Sequence, residues 1–201
     1  LDAEKSSVLA SIAGIREYLE DESGALEAYE KLIGHGTDNY DIRMRAAKLA
    51  FKLGKQAAAR AHADAALGHT PGDEQALRIA AQTSLDLGDN TQAADYFRAL
   101  SETVPEDLEV VEQLERLYRD AMDNESLLWA LERHHELTPD NVDVIGEISE
   151  ILYTAGETER ALEYVNKGLE IAPKDGRFRI MLGDRYASNG NLDKALEQYR
   201  I

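Results

Sequence analysis

The sequence has no cysteine, one tryptophan, three methionines and four prolines in 201 residues. Without cysteine it forms neither a disulfide nor a thiolate metal site, and either the cytoplasm or a bacterial periplasm would suit it. No apolar run approaches the roughly 18 residues of a membrane span, and no basic-then-apolar leader opens the chain. Basic residues are few against acidic ones, 22 to 39, for a formal net charge of −17. A chain this acidic repels a phosphate backbone, which argues against a nucleic-acid partner. The hydrophobic share of 43% is still ample for a packed core.

The scarce prolines are where the organisation first shows. Pro71, Pro105, Pro139 and Pro173 follow one another at 34-residue intervals, and a fixed period of this size marks a tandem repeat. The chain divides into units 6–39, 40–73, 74–107, 108–141, 142–175 and an incomplete 176–201. Each complete unit ends on an Asn or Asp: Asn39, Asp73, Asp107, Asn141 and Asp175. Proline cannot continue a helix, and an Asx two residues later can cap the next one. Gly54, Gly88, Gly156 and Gly190 share a second phase, suited to a left-handed exit from a helix. The spacing predicts two helices per unit joined by a tight turn. One helical face is apolar or small, as with Ile145, Ile148, Ser149 and Leu152 in the fifth unit.

The 34-residue helix–turn–helix unit, with Leu182-Gly183, Tyr186, Gly190, Ala195 and Tyr199 in the last copy and a closing proline in others, resembles the tetratricopeptide repeat. The resemblance covers about residues 6–201. It implies an all-α fold, a right-handed α–α superhelix of stacked helix pairs, with first helices lining a concave groove. Residues 1–201 are then expected to form a single solenoid. Leu1 in place of an initiator Met, and an end at Ile201 within the pattern, give the expectation of a segment from a longer protein.

The copies differ in places. The fourth unit has Met122 where others have glycine, Glu115 and Leu127 at small positions, and His134 in its second helix. Bulk at these points is expected to widen the helix pair in 108–141. The second unit fills its core positions with Ala46, Ala47, Ala50, Ala59, Ala63 and Ala66, and should depend on its neighbours. Arg16, Arg43 and Arg179 stand where the pattern wants an apolar group. Their stems are expected to lie on the core with the heads in water.

No constellation for catalysis emerges. P-loop, G-x-S-x-G and H-E-x-x-H patterns are absent. His134 and His135 point about 100° apart on a helix, which rules out a shared metal face. His35, His62 and His69 are expected at surfaces and helix ends. The sequence therefore assigns no catalytic residue, no metal site and no cofactor, and the reading is non-enzymatic.

By the family resemblance, five positions of each first helix face the groove. Across all six units that stripe holds six basic residues against nine acidic ones, so most of the −17 lies elsewhere. The candidate partner-binding residues are Met44, Lys48, Phe51, Lys52, Arg78, Gln82, Leu85, Arg116, Arg119 and Tyr153. They form a basic track with apolar contacts, suited to an acidic and apolar segment of another protein. No unit has the Lys and Asn of family members that clamp chaperone tails. An alternative resemblance is to the periplasmic repeat arms of outer-membrane exopolysaccharide exporters. In that reading the partner is a cationic polysaccharide or its modifying enzyme.

Overall fold

A computed structural model describes residues 2–200. Its helices are α1 (Asp2–Tyr18), α2 (Glu22–Gly34), α3 (Tyr40–Lys52), α4 (Gln56–His69), α5 (Glu74–Asp86), α6 (Asn90–Thr103), α7 (Leu108–Asp120), α8 (Asn124–Leu137), α9 (Val142–Thr154), α10 (Thr158–Ile171), α11 (Gly176–Ser188) and α12 (Leu192–Tyr199). Among the described residues there is no strand. No helix there is long and apolar enough to cross a membrane. The chain is all-α, and the odd-numbered helices from α3 onward start at the repeat period.

The turn chemistry is repeated with little variation. Between the two helices of every unit, one residue takes a positive φ: Glu20 (59°), Gly54 (69°), Gly88 (75°), Met122 (55°), Gly156 (80°) and Gly190 (76°). The next residue's N–H then reaches back to a carbonyl five residues earlier, as in Lys55 to Ala50 at 2.8 Å and Glu157 to Leu152 at 2.9 Å. This is the Schellman closure, which satisfies carbonyls left open at a helix end. Between units, Thr70, Val104, Thr138 and Ala172 accept a bond from the residue three further on, with the proline second in the turn. Proline suits that position because its φ is already set.

The expected Asx caps are all formed. Asn39 accepts from the Ile42 N–H at 3.1 Å, Asp73 from Ala76 at 2.8 Å, and Asp175 from Arg177 at 2.9 Å. Asp107 and Asn141 do the same for α7 and α9. A second set, not foreseen from the sequence, caps the even-numbered helices: Asp21, Asp89, Asp123 and Asn191.

The helices form two compact units, one up to Val110 and one from Val111, with the division inside α7. In the first, Ala46, Ala47, Ala50, Ala59, Ala63 and Ala66 are fully buried. They share one core with the larger Leu26, Tyr29 and Leu32 of α2 and with Ile79 of α5. The alanine-rich repeat thus borrows its apolar bulk from its neighbours. In the second, Ile148, Leu152 and Ala161 pack with Leu127 and Leu131. Ile145 and Val165 enclose Phe178, which is fully buried.

Several polar residues are placed differently from expectation. The arginine heads bind protein groups instead of extending to water. Arg16 Nη1 donates to the Gly24 carbonyl at 2.9 Å, and Arg43 donates to Asp38 and to His62 Nδ1, the latter at 3.2 Å. Arg179 donates to the Pro173 carbonyl at 2.8 Å and to Gln198 at 2.9 Å. In each case the stem is half-buried, so a protein acceptor replaces water that the packing has displaced. His62 and His134 are buried and not at the surface. In repeat four the two misfits meet each other, with Glu115 Oε1 2.6 Å from His134 Nδ1.

Candidate partner-binding groove

In the first unit, α1 and α3 enclose a hollow of about 460 Å³. One side is Glu17; the other is an i, i+4 ladder along α3 made of Tyr40, Met44, Lys48 and Lys52, with Asp41, Arg45 and Leu49 beside it. Helical spacing alone places these side chains one above another. Met44 is only 3% exposed and belongs to the core, so it forms floor and offers a partner little surface. That corrects its assignment as a surface contact: Met44 packs into the apolar cluster shared with α2 and α4, although the equivalent Ala10, Glu112 and Ile180 are exposed. Phe51, at 38% exposure, stands outside the hollow's lining.

The polar walls are largely committed. Glu17 accepts from Tyr29 Oη at 2.6 Å and from Arg45 Nη1 at 2.7 Å. Burial, then the bond to Glu17, pushes the Tyr29 hydroxyl up to about 12. Tyr40 Oη donates to Asp73 at 2.6 Å, and that bond, with some burial, raises Tyr40 to about 12 as well. Both phenols are thus donors at neutral pH. Lys52 pairs with Glu22 of α2, which raises the lysine above its ordinary value. Lys48 has no ion-pair partner among the described residues.

The remaining candidates are less free than the sequence suggested. Arg78 is gripped by Glu74 at 2.9 Å and by Asp107 at 2.5 Å, and it holds the Asp107 carboxyl below the usual range. Gln82 donates to Asp86 at 2.9 Å, and Leu85 is half-buried. In the second unit, Arg119 Nη2 bonds both oxygens of Glu147 at 2.9 Å. Arg116 donates to the neutral Gln113 and has no ion-pair partner among the described residues. Tyr153 is 36% exposed.

Sequence reasoning missed Tyr40 and Arg45 as hollow-lining residues. The i, i+4 ladder that contains Tyr40 was the signal available. Among the described residues no group of three or more His, Asp or Glu could hold a metal ion.

The sequence model described as tetratricopeptide repeat matches residues 17–74, 45–107 and 151–201. The matched stretches cover more than half of the chain and leave all of repeat four, 108–141, outside. A search of curated proteins finds no match. Among solved structures, a MamA protein is similar with a TM-score of 0.55 at 16% identity, covering 87% of this chain and 96% of that one. MamA from residue 41 to the end, from Desulfovibrio magneticus RS-1, gives a TM-score of 0.52 at 16% identity, covering 85% and 97%. At such identity these likenesses concern the fold.

Proposed function

Because the chain belongs to the tetratricopeptide repeat family, whose members are generally non-enzymatic protein-interaction scaffolds, we propose that its first-helix faces hold a segment of a protein partner. The anchoring point is the hollow between α1 and α3. The observation that carries this reading is Lys48, a cation on the wall of that hollow without an ion-pair partner among the described residues, in a chain of net charge −17. An acidic side chain can reach Lys48 without first breaking an internal pair. Met44 and Leu49 form an apolar floor, and Phe51 stands nearby on the same helix. The tyrosine hydroxyls, already bonded to carboxylates, fix the walls. The segment that fits is an acidic residue flanked by apolar ones.

Arg78, Lys52 and Arg119 contribute less in this reading, because a partner would have to displace Asp107, Glu22 or Glu147. A peptide-display selection against the chain tests it. Enrichment of acidic–apolar segments, lost in Lys48→Glu and retained in Arg78→Gln, is the expected outcome. A selection unchanged by Lys48→Glu would sink the hollow as the anchoring point.

A further inference from the structure

Repeat two holds a buried histidine whose hydrogen-bond partner is an arginine. His62 of α4 is 9% exposed, and its Nδ1 lies 3.2 Å from Arg43 Nη1 of α3. A guanidinium has donors and no acceptor, so Nδ1 keeps its lone pair and the neutral ring carries its proton on Nε2. Arg43 cannot turn aside freely, because both Asp38 carboxylate oxygens grip it, at 2.7 Å and 2.5 Å. His62 Nε2 faces Glu30 of α2 at 3.7 Å, and His69 Nε2 lies 3.6 Å from Asp38. Glu30 and Asp38 belong to repeat one, whereas Arg43, His62 and His69 belong to repeat two, so the cluster spans their joint. Repeats one, four and six fill the Arg43 and His62 positions without a titrating acceptor. Leu9 with Ala28 and Val111 with Ala130 are apolar, and Arg179 Nη1 donates to Gln198 Oε1 at 2.9 Å.

We propose that this cluster is an acid-sensitive latch between repeats one and two, closed while the His62 ring is neutral and released when it gains a second proton. That proton sits on Nδ1, against the Arg43 donor, so two like charges meet where a hydrogen bond was. The latch is separate from the Lys48 hollow and needs no partner. The charged groups that face the ring are Arg43, Glu30 and Asp38. Burial and then Arg43 hold the imidazole below its ordinary value of 6.5, and the two carboxylates offset only part of this. Other charges on the packed helices are engaged elsewhere. On α4, Arg60 pairs with Asp89, and Asp64 accepts from Tyr96. On α5, Arg78 pairs with Glu74 and Asp107, and Asp86 accepts from Gln82. Asp41, Arg45, Lys48 and Lys52 of α3 line the hollow toward α1. The folded ring resists protonation, so its contribution to stability is fully present above 6.5 and is lost as pH falls below that.

The probe is the proton itself, read in the 201-residue chain by imidazole nitrogen shifts and by amide exchange corrected for its intrinsic pH dependence. His62 should be an Nε2–H tautomer at neutral pH and should take its second proton below 6.5. Between about pH 7.5 and pH 5.5, protection of the α3 and α4 amides should fall about fivefold further in the parent than in His62→Gln. That variant installs the Arg–Gln combination of repeat six, and should keep the parent's protection at neutral pH. Amides of α9 and α10 should respond alike in both proteins. If His62→Gln proves less helical than the parent by circular dichroism, the imidazole titration of the parent decides alone. An Nδ1–H tautomer, a charged ring at neutral pH, or an equal pH response of α3 and α4 in parent and variant overturns the latch.

Discussion

At three equivalent positions, the first two of which the repeat keeps small, residues 142–175 carry Ser149, Ala161 and Gly168, whereas 108–141 carry Glu115, Leu127 and His134. Repeat five fills the space from its successor. A methyl at Gly168 would overlap the Phe178 ring, so the glycine is the recess that the ring occupies. Repeat four fills it from within, pairing Glu115 with His134 across its own two helices, both nearly buried. The same two positions are Ala13 and Leu32 in repeat one and Ala81 and Leu100 in repeat three. A helix pair can thus be closed by apolar bulk, by a neighbour's ring or by a hydrogen-bonded polar pair. The last has the least to gain from stacking and the most to lose from a single change.

The largest effect should come from removing the borrowed ring. Phe178 is fully buried against Ile145 and Val165, and Phe178→Ala deletes most of a large buried side chain and leaves a cavity, at about 3–5 kcal/mol. Gly168→Ala attacks the same contact from the other side by overpacking, at about 1–3 kcal/mol. Urea unfolding measures both. If Phe178→Ala cost less than Gly168→Ala, repeat five would not depend on its successor in this way.

The polar pair should break asymmetrically. Glu115→Ala leaves the buried His134 imidazole without its acceptor, at about 1–3 kcal/mol. Changing both residues, Glu115→Ala with His134→Leu, installs the combination that repeats one and three already use. Such a replacement of a buried polar pair by packed apolar groups is often neutral or stabilising. The double variant should therefore match or exceed the parent chain in urea midpoint. A double variant as unstable as the single one would show that repeat four needs the pair for its own geometry.

A smaller difference separates the two turns. Met122 holds φ at 55° while 86% exposed, where repeat five has Gly156 at 80°. The left-handed region costs a residue with a Cβ about 1–2 kcal/mol, so Met122→Gly should gain about 1 kcal/mol and Gly156→Ala should lose about as much. Thermal melts of the two variants must move in opposite directions. Equal or parallel shifts would mean that the Met122 side chain does more than sit in solvent.

How much of this could be read from the sequence depends on the range of the interaction. The Asn39, Asp73, Asp107, Asn141 and Asp175 caps reach only two or three residues along the chain, so a fixed place in the 34-residue period locates them, two residues after a proline in all but Asn39. The Asp21, Asp89, Asp123 and Asn191 caps have the same logic and a constant offset of their own. That offset is less regular in residue type, with Lys55 and Glu157 in the same place making no side-chain cap. The groove charges were harder. Lys52 meets Glu22, Arg78 meets Asp107 and Arg119 meets Glu147 across 28 to 30 residues, and such pairs exist only once adjacent helix pairs are set side by side. Glu115 and His134 were visible one by one as misfits. Their spacing of 19 equals that of Ala81 and Leu100, a signal that would have paired them.

The subtlest way to probe the comparison is pH. Burial raises the Glu115 carboxyl above its ordinary value of 4.5, and outweighs the opposing bond to His134. Below 4.5 the group is protonated whether the chain is folded or not, and its contribution to stability is fully present. As pH climbs from there through the raised folded value, the unfolded chain releases its proton first, so that contribution is lost. Asp123 and Asp175 act with the opposite sign. The Ser126 hydroxyl and N–H hold Asp123 low, and Arg177 does so for Asp175, so their contributions are present above 3.8 and vanish as pH falls further. Those carboxyls are common to the parent and to Glu115→Gln, and they cancel in a difference. Between about pH 4 and pH 6, the parent should lose stability relative to Glu115→Gln as pH increases. Repeat five, with Ser149 in that place, has nothing to titrate, and Ser149→Ala should leave the slope untouched. A parent that instead gains on Glu115→Gln with rising pH would make the pair a charged bridge whose attraction overcomes its burial.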